Sequence, residues 1–301
     1  MTLTRRRFLA ISAVAASLPG ALSAAPAPRR WVGQALGARA SIRLDHPDAE
    51  AVTARCLAEI GRLEDILSLY HAASALSRLN RTGRLDAPPF ELLDCLSIAG
   101  SVHRASGGLF DVTVQPLWAL WAEAAVQGRR PAPGERDAAL SRTGWDRVSL
   151  SSEAVTLQPG MALTLNGIGQ GYVADRVAAL LQAEGMTDIL IDTGEMRALG
   201  GRPWPVRIPH GGEVPLSARA LATSAPRGTC FDAPGRDGHI LDPRTGGPAV
   251  SPWAEISISA PSAALADALS TAACLTRDRA ELTALLARFP AARLEGARLA
   301  A

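Results

Sequence analysis

Lysine is absent from this chain: every one of its 31 basic residues is arginine. No Gly-Lys-Ser/Thr run can therefore exist, and a P-loop is excluded. Aromatic residues make up only 4%. No basic patch gathers, so nucleic acid is not an expected partner. No run of 18 apolar residues occurs, so no stable membrane span is expected. Cysteines are few (Cys56, Cys95, Cys230 and Cys274), lie far apart and form no C-x-x-C. Three of them fall in helical patterns where a small apolar residue fits, which favours buried free thiols. A disulfide in an oxidising compartment stays open. No solenoid or propeller period is visible.

What is there is enough apolar material, 48% of 301 residues, for one large domain or two closely packed ones. The N-terminus reads Thr4-Arg5-Arg6-Arg7-Phe8-Leu9, then a mildly apolar stretch to Leu18, then Pro19-Gly20 and small residues. That is the layout of a signal peptide, and the paired arginines before Phe-Leu resemble the twin-arginine class rather than an ordinary secretory signal. Cleavage between Ser23 and Ala27 divides the chain into a signal at 1–24 and a mature domain at 25–301. Losing Arg5, Arg6 and Arg7 leaves 28 arginines against 29 acids, so the formal charge of +2 belongs to the targeting segment. No Leu-x-x-Cys lipobox follows, and a soluble periplasmic protein is expected.

The first part of the mature chain reads as mainly helical. Apolar residues recur at helical spacing over Ala51–Tyr70 and Phe90–Ala105, the second stopped by Ser106-Gly107-Gly108. A third helix is expected over Val112–Val126, and a loop over Gly128–Gly134. From Arg147 the texture changes to short β-prone runs: 148–150, 154–157, 162–165, 188–192, 204–208, 220–224, 238–241 and 254–259. A helix interrupts them over Tyr172–Glu184. Two helices, Ser262–Leu275 and Arg279–Arg288, are expected to close the chain. Strands and helices without regular alternation, and no Pro/Ser-rich linker, predict a single α+β domain with a mixed or antiparallel sheet core.

Four constellations carry chemistry. Asn166-Gly167-Ile168-Gly169-Gln170-Gly171 lies between a strand and a helix, where glycines let backbone approach a ligand and a helix start suits phosphate. A plain tight turn is the alternative. Asp267 lies in a nearly all-apolar helix, where an ionised carboxylate is costly unless compensated. Thr271 lies one turn on, on the same face. A carboxylate and a hydroxyl are hard ligands that fit magnesium; pairing with an arginine, or capping, would also explain Asp267. His239 opens Gly238-His239-Ile240-Leu241-Asp242-Pro243-Arg244-Thr245-Gly246 and could take a proton from a hydroxyl, or could be a structural histidine bonded to backbone. Ser106-Gly107-Gly108-Leu109-Phe110-Asp111 presents an acid after a Gly-Gly turn, and a helix stop with a cap would explain it equally.

In this order the motifs resemble the ApbE family of FAD:protein FMN transferases. The resemblance runs from about Leu36 to Leu275. It includes Ser68-Leu69-Tyr70, Ser77-Arg78-Leu79-Asn80, Thr193-Gly194-Glu195, Ala222-Thr223-Ser224 and Ala266-Asp267-Ala268-Leu269-Ser270-Thr271. It implies an ApbE-like fold with FAD as substrate and magnesium as cofactor. By the resemblance Asp267, Thr271 and a backbone carbonyl at Gly167 would bind the metal. Tyr70 would lie against the flavin ring, and Leu109, Phe110 and Asp111 would line the adenosine or flavin pocket. His239 would sit near the pyrophosphate, with Ile240 packing on the cofactor. Leu36, Thr164, Gln170, Glu195 and Ser224 complete the expected cofactor contacts.

The chain departs from the family at Gln170, where many members have lysine, and at Thr164, where many have Asp. It departs again at Leu36-Gly37-Ala38, where Met-Gly-Thr is usual. The pattern is similar to the NosX-type accessory proteins of nitrous oxide reductase, which also carry twin-arginine signals. The implied target is then the FMN-binding region of the membrane regulator that feeds electrons to that reductase. The implied reaction is attack of a target threonine on the FMN-side phosphorus of FAD, releasing AMP. His239 is the candidate base, with Asp111 or Glu195 behind it. Hydrolysis of FAD to FMN and AMP, or non-catalytic binding of FAD as an accessory, are the alternatives.

Overall fold

In the computed structural model, residues 29–36, 38–44, 48–209 and 212–300 are described. The expected signal segment, 1–24, lies outside the described residues. The chain begins as a hairpin of β1 (Arg29–Ala35) and β2 (Ala38–Leu44), followed by α1 (Ala49–Leu67), α2 (Ala75–Thr82) and β3 (Arg84–Asp86). Next come α3 (Phe90–Ala105), α4 (Gln115–Val126), α5 (Pro133–Leu140), β4 (Ser149–Leu150), β5 (Ala154–Thr156) and α6 (Gly169–Ala183). Five short strands follow: β6 (Leu190–Asp192), β7 (Met196–Ala198), β8 (Trp204–Ile208), β9 (Gly212–Leu216) and β10 (Ala220–Ser224). The chain ends with β11 (Trp253–Ala260), α7 (Ala263–Ala273), α8 (Arg279–Ala287) and β12 (Arg293–Leu299).

The main sheet has the order β1-β2-β6-β7-β10-β11-β12, every pairing antiparallel. Alternation along its strands sends successive side chains to opposite faces. Ala220 and Ala222 join the large core under the helices, while Leu221 between them joins a second core. The β8–β9 hairpin covers that second face with Trp204, Val206 and Ile208. On the first face α7 packs on β10 and β11, α6 lies against α7, and α1 and α3 lie outside them. Mixed helices and antiparallel strands make this an α+β fold.

α7 is the hub. Its alanines are buried on all sides, as expected of a helix that is apolar all round. Two acceptors satisfy its first N–H groups: the Ser262 hydroxyl takes Leu265 N–H, and the Asp175 carboxylate of α6 takes those of Ala263 and Ala264. Gly171 lets α6 approach, because a Cβ there would run into the Ala263 backbone.

Four expectations are corrected. The first part is not simply helical, since β1 and β2 precede α1; they pair with each other, and β2 pairs on its other edge with β6, some 150 residues away, which local periodicity does not reveal. Residues 162–165 form no strand. The Asn80 amide instead bonds both the N–H and the carbonyl of Leu163, at 2.7 and 2.8 Å, in place of a neighbouring strand. Residues 238–241 contribute only isolated bridges, Cys230 with Gly238 and Leu241 with Pro248, because their backbone groups are taken by adjacent turns. Finally, a strand closes the described chain. β12 is a half-buried edge strand whose alternation is correspondingly weak.

Candidate functional site

A cavity of about 430 Å³ opens where the start of α6, the β6–β7 turn, the end of β10, the loop before β11 and α7 converge. Gly167, Asp267 and Thr271 line one side of it. Asp267 is buried, and its carboxylate accepts the Gly171 N–H at 3.2 Å. Burial pushes its pKa up to about 7, with that N–H working in the opposite direction. Glu195, also buried on the cavity wall, is raised well above the ordinary range by burial and by the like charges of Asp267 and Asp192. Thr271 follows Asp267 by one turn, and a Cβ on Gly167 would stand 3.0 Å from its hydroxyl oxygen. Ser224 adds a hydroxyl 3.4 Å from that of Thr271 and 2.7 Å from that of Ser270.

Among the described residues no group of three or more His, Cys, Asp and Glu side chains could hold a metal. A cation here would have to rely on one or two carboxylates together with hydroxyl and backbone oxygens. That donor set is hard, and among the described residues no arginine or histidine forms an ion pair with either of these two buried, mutually repelling carboxylates. Both properties fit a magnesium ion, which keeps waters and takes one or two carboxylates.

His239 lines another part of the cavity. Its Nδ1 lies 3.1 Å from the Thr229 carbonyl oxygen, and its backbone N–H donates to the same oxygen at 2.9 Å. A carbonyl can only accept, so Nδ1 carries the proton and Nε2 keeps a lone pair. Burial lowers the His239 pKa below 6.5, which favours the neutral ring, while the bond to Thr229 works against this. The arrangement provides a base with its tautomer fixed.

Asp111 also reaches the cavity, but its Oδ1 is engaged. It accepts the backbone N–H and the hydroxyl of Thr113, at 2.8 and 2.6 Å, capping a single 3-10 turn at Val112–Val114. Its Oδ2 faces His103 Nδ1 at 3.6 Å. Leu109, Phe110 and Ile240 give the cavity its apolar wall. Thr164 lines it from below, its N–H bonded to the Val112 carbonyl at 2.8 Å. Gln170 packs its amide over Gly194, whose φ of +100° suits glycine.

The first turn of α6 is not an open phosphate cradle. Gly169 donates to the Leu165 carbonyl and Gly171 to Asp267, so two of its N–H groups are spent inside the protein. Leu36 and Tyr70 are not in the cavity wall. Leu36, at the β1–β2 turn with φ +48°, rests against Gly169 and donates its N–H to Glu64 at 2.7 Å. Tyr70 stands exposed after α1. Sequence reasoning passed over Trp118 and Thr229, which both line the cavity.

The sequence profile of the ApbE family matches residues 36–292. The FAD:protein FMN transferase of Salmonella typhimurium is 28% identical over 279 residues, covering 84% of this chain and 80% of that protein. The FAD:protein FMN transferase of Treponema pallidum is 33% identical over 260 residues, covering 75% and 71%. The crystal structure of the apo form of the Pseudomonas stutzeri flavinyl transferase ApbE superposes with a TM-score of 0.77 at 27% identity, covering 88% of this chain and 89% of that one.

Proposed function

Starting from the fact that this chain belongs to the ApbE family, we propose that it is an FAD:protein FMN transferase. It moves FMN from FAD to a threonine hydroxyl of a target flavoprotein and releases AMP. The observation that carries this reading is that one cavity brings together a base with a free Nε2, on His239, and the oxygen set of Asp267, Thr271 and Gly167.

Asp267, Thr271 and the Gly167 carbonyl would hold magnesium, helped by Glu195 or Ser224. When bound, the ion supplies positive charge beside the pyrophosphate oxygens. Leu109, Phe110 and Ile240 offer apolar surface to the cofactor, and Thr164 and Gln170 polar contacts. Asp111 acts as a positioning group, since its capping bonds hold the 109–112 segment in place. His239 Nε2 receives the acceptor hydroxyl proton as the threonine oxygen bonds to the FMN-side phosphorus. The bond from that phosphorus to the bridging oxygen breaks, and AMP leaves with the oxygen.

The test is incubation with FAD, magnesium and an acceptor domain, reading in-gel flavin fluorescence and free AMP. Labelled acceptor supports transfer, AMP alone supports hydrolysis, and neither supports a binding accessory. Asp267→Ala is expected to abolish labelling. For the acceptor we propose the electron-donating regulator of nitrous oxide reductase, on the Gln170 and Thr164 pattern. We propose export to the periplasm by the twin-arginine pathway, on the N-terminal sequence alone.

A further inference from the structure

The segment that carries His239 is a narrow loop folded back on itself. Thr229 and His239 pair across its base, and Cys230 and Gly238 form the next bridge. Gly238 is pressed so closely against the Pro226 carbonyl that no Cβ would fit. Farther out, Phe231 N–H donates to the Asp237 carbonyl at 2.7 Å, and the Asp232 carboxylate accepts the N–H groups of Arg236 and Asp237 at 2.8 Å each. The tip is therefore rigid within itself. Its orientation relative to the cavity depends on what it is fastened to. Two contacts fasten it to the α4 region: Phe231 packs edge-on against Trp118 and tilted against Trp121, and Arg130 forms a bidentate pair with Asp237 at 2.6 and 2.6 Å.

Asp237 is buried, and Arg130, from the connection between α4 and α5, is exposed. A surface ion pair between flexible partners does little, but a bidentate guanidinium–carboxylate pair with one member buried fixes both distance and angle. Asp237 lies two residues before His239, on the strand of the loop that delivers the imidazole. A rigid tip released from α4 would hinge about the Thr229–His239 base and twist that pair, and the Nδ1 proton would lose its acceptor.

We propose that Arg130 is a positioning residue for this site: through Asp237 it holds the Thr229–His239 loop so that Nδ1 stays bonded to Thr229 and Nε2 faces the cavity. This rests on the transferase reading only for its kinetic arm. Replacing Arg130 should lower turnover more than it weakens FAD binding, because Arg130 and Asp237 are absent from the wall of the cavity that holds His239 and line only an adjoining one of about 770 Å³.

The experiment compares the wild-type protein with Arg130→Ala, Arg130→Lys and Asp237→Asn, all checked for cooperative melting. Imidazole ¹⁵N spectra, assigned with His239→Gln, read the tautomer, and AMP release from FAD with magnesium and an acceptor domain reads kcat and KM. The wild type should show a protonated Nδ1 on His239. Arg130→Ala should show mixed tautomers and a kcat about tenfold lower, with KM for FAD within about twofold, since small misplacements of a reacting group are costly. Arg130→Lys should recover part of both. Asp237→Asn, nearly the same shape, should move in the same direction and serves where the alanine variant fails to fold. An unchanged tautomer in Arg130→Ala and Asp237→Asn overturns the proposal, whatever happens to kcat. If even the wild type releases no AMP, the transferase reading falls while the tautomer comparison still decides the role of Arg130.

Discussion

Gly167 and Thr271 meet so closely that a Cβ on the glycine would stand 3.0 Å from the threonine hydroxyl and 3.3 Å from the Phe110 ring. The absence of a side chain at Gly167 therefore leaves room for the Thr271 hydroxyl and the Phe110 ring. Gly167 and Asp267 line the same cavity. Gly167→Ala should leave the fold intact but push Thr271 and Phe110 aside. The magnesium concentration for half-maximal activity is expected to rise by about tenfold or more, as for lost supporting contacts at metal sites. A magnesium titration of AMP release with FAD and an acceptor domain measures it, and an unchanged midpoint would remove Gly167 and Thr271 from the metal corner.

Asp267 titrates near 3.8 in an unfolded chain and about 7 in the fold. The folded protein then holds the proton more tightly across that window, so without magnesium its stability falls as pH rises from about 4 to about 7. Asp267→Asn removes the cost. At pH about 8 without magnesium the variant should melt higher than wild type, by roughly 1–3 kcal/mol or about 3–10 °C. Magnesium should raise the wild-type Tm and not that of the variant. A variant that melts lower at that pH would show that the carboxylate is compensated within the protein.

His239 must be neutral to accept a proton, and burial favours that form. The acid limb of kcat/KM should therefore lie below pH 6.5, with activity lost as pH falls through it. His239→Gln should lower kcat by about 10²–10⁴ while FAD still binds, the range expected for a general base. A pH profile that keeps its acid limb in this variant would assign the base elsewhere.

Gly171→Ala tests the packing beneath the site. The new methyl would meet the Ala263 backbone, which cannot rotate away as a side chain can. A loss of at least about 2 kcal/mol in chemical denaturation is expected. A neutral result would mean that α6 and α7 can separate without cost.

Much of this was legible in the sequence where one side of an element is buried. Trp204, Val206 and Ile208 alternate with exposed Pro205 and Arg207, and β8 begins and ends where that alternation does. The helix spanning Phe90–Ala105 was likewise bounded by its apolar spacing and the glycines after it. The N-terminal hairpin was not legible, because the strand that seats β2 in the main sheet is β6, which local spacing does not identify. Nor was the Asn80 amide that takes the place of a strand beside Leu163. At the site, Asp267 stood out because a lone acid in an alanine-rich helix is conspicuous. Thr229 did not, because its contribution is a backbone carbonyl, which any residue type would supply. The reading of α6 as an open anion cradle failed for a related reason: its N–H groups are spent on Leu165 and on Asp267 itself.

The most direct measurement of FMN transfer is the intact mass of an acceptor flavoprotein domain after incubation with this protein, FAD and magnesium, with AMP quantified in parallel. The expected result is one FMN phosphoester on an acceptor threonine for each AMP released, lost in Asp267→Ala and His239→Gln. AMP without any gain in acceptor mass, or an unmodified acceptor with FAD intact, would contradict it.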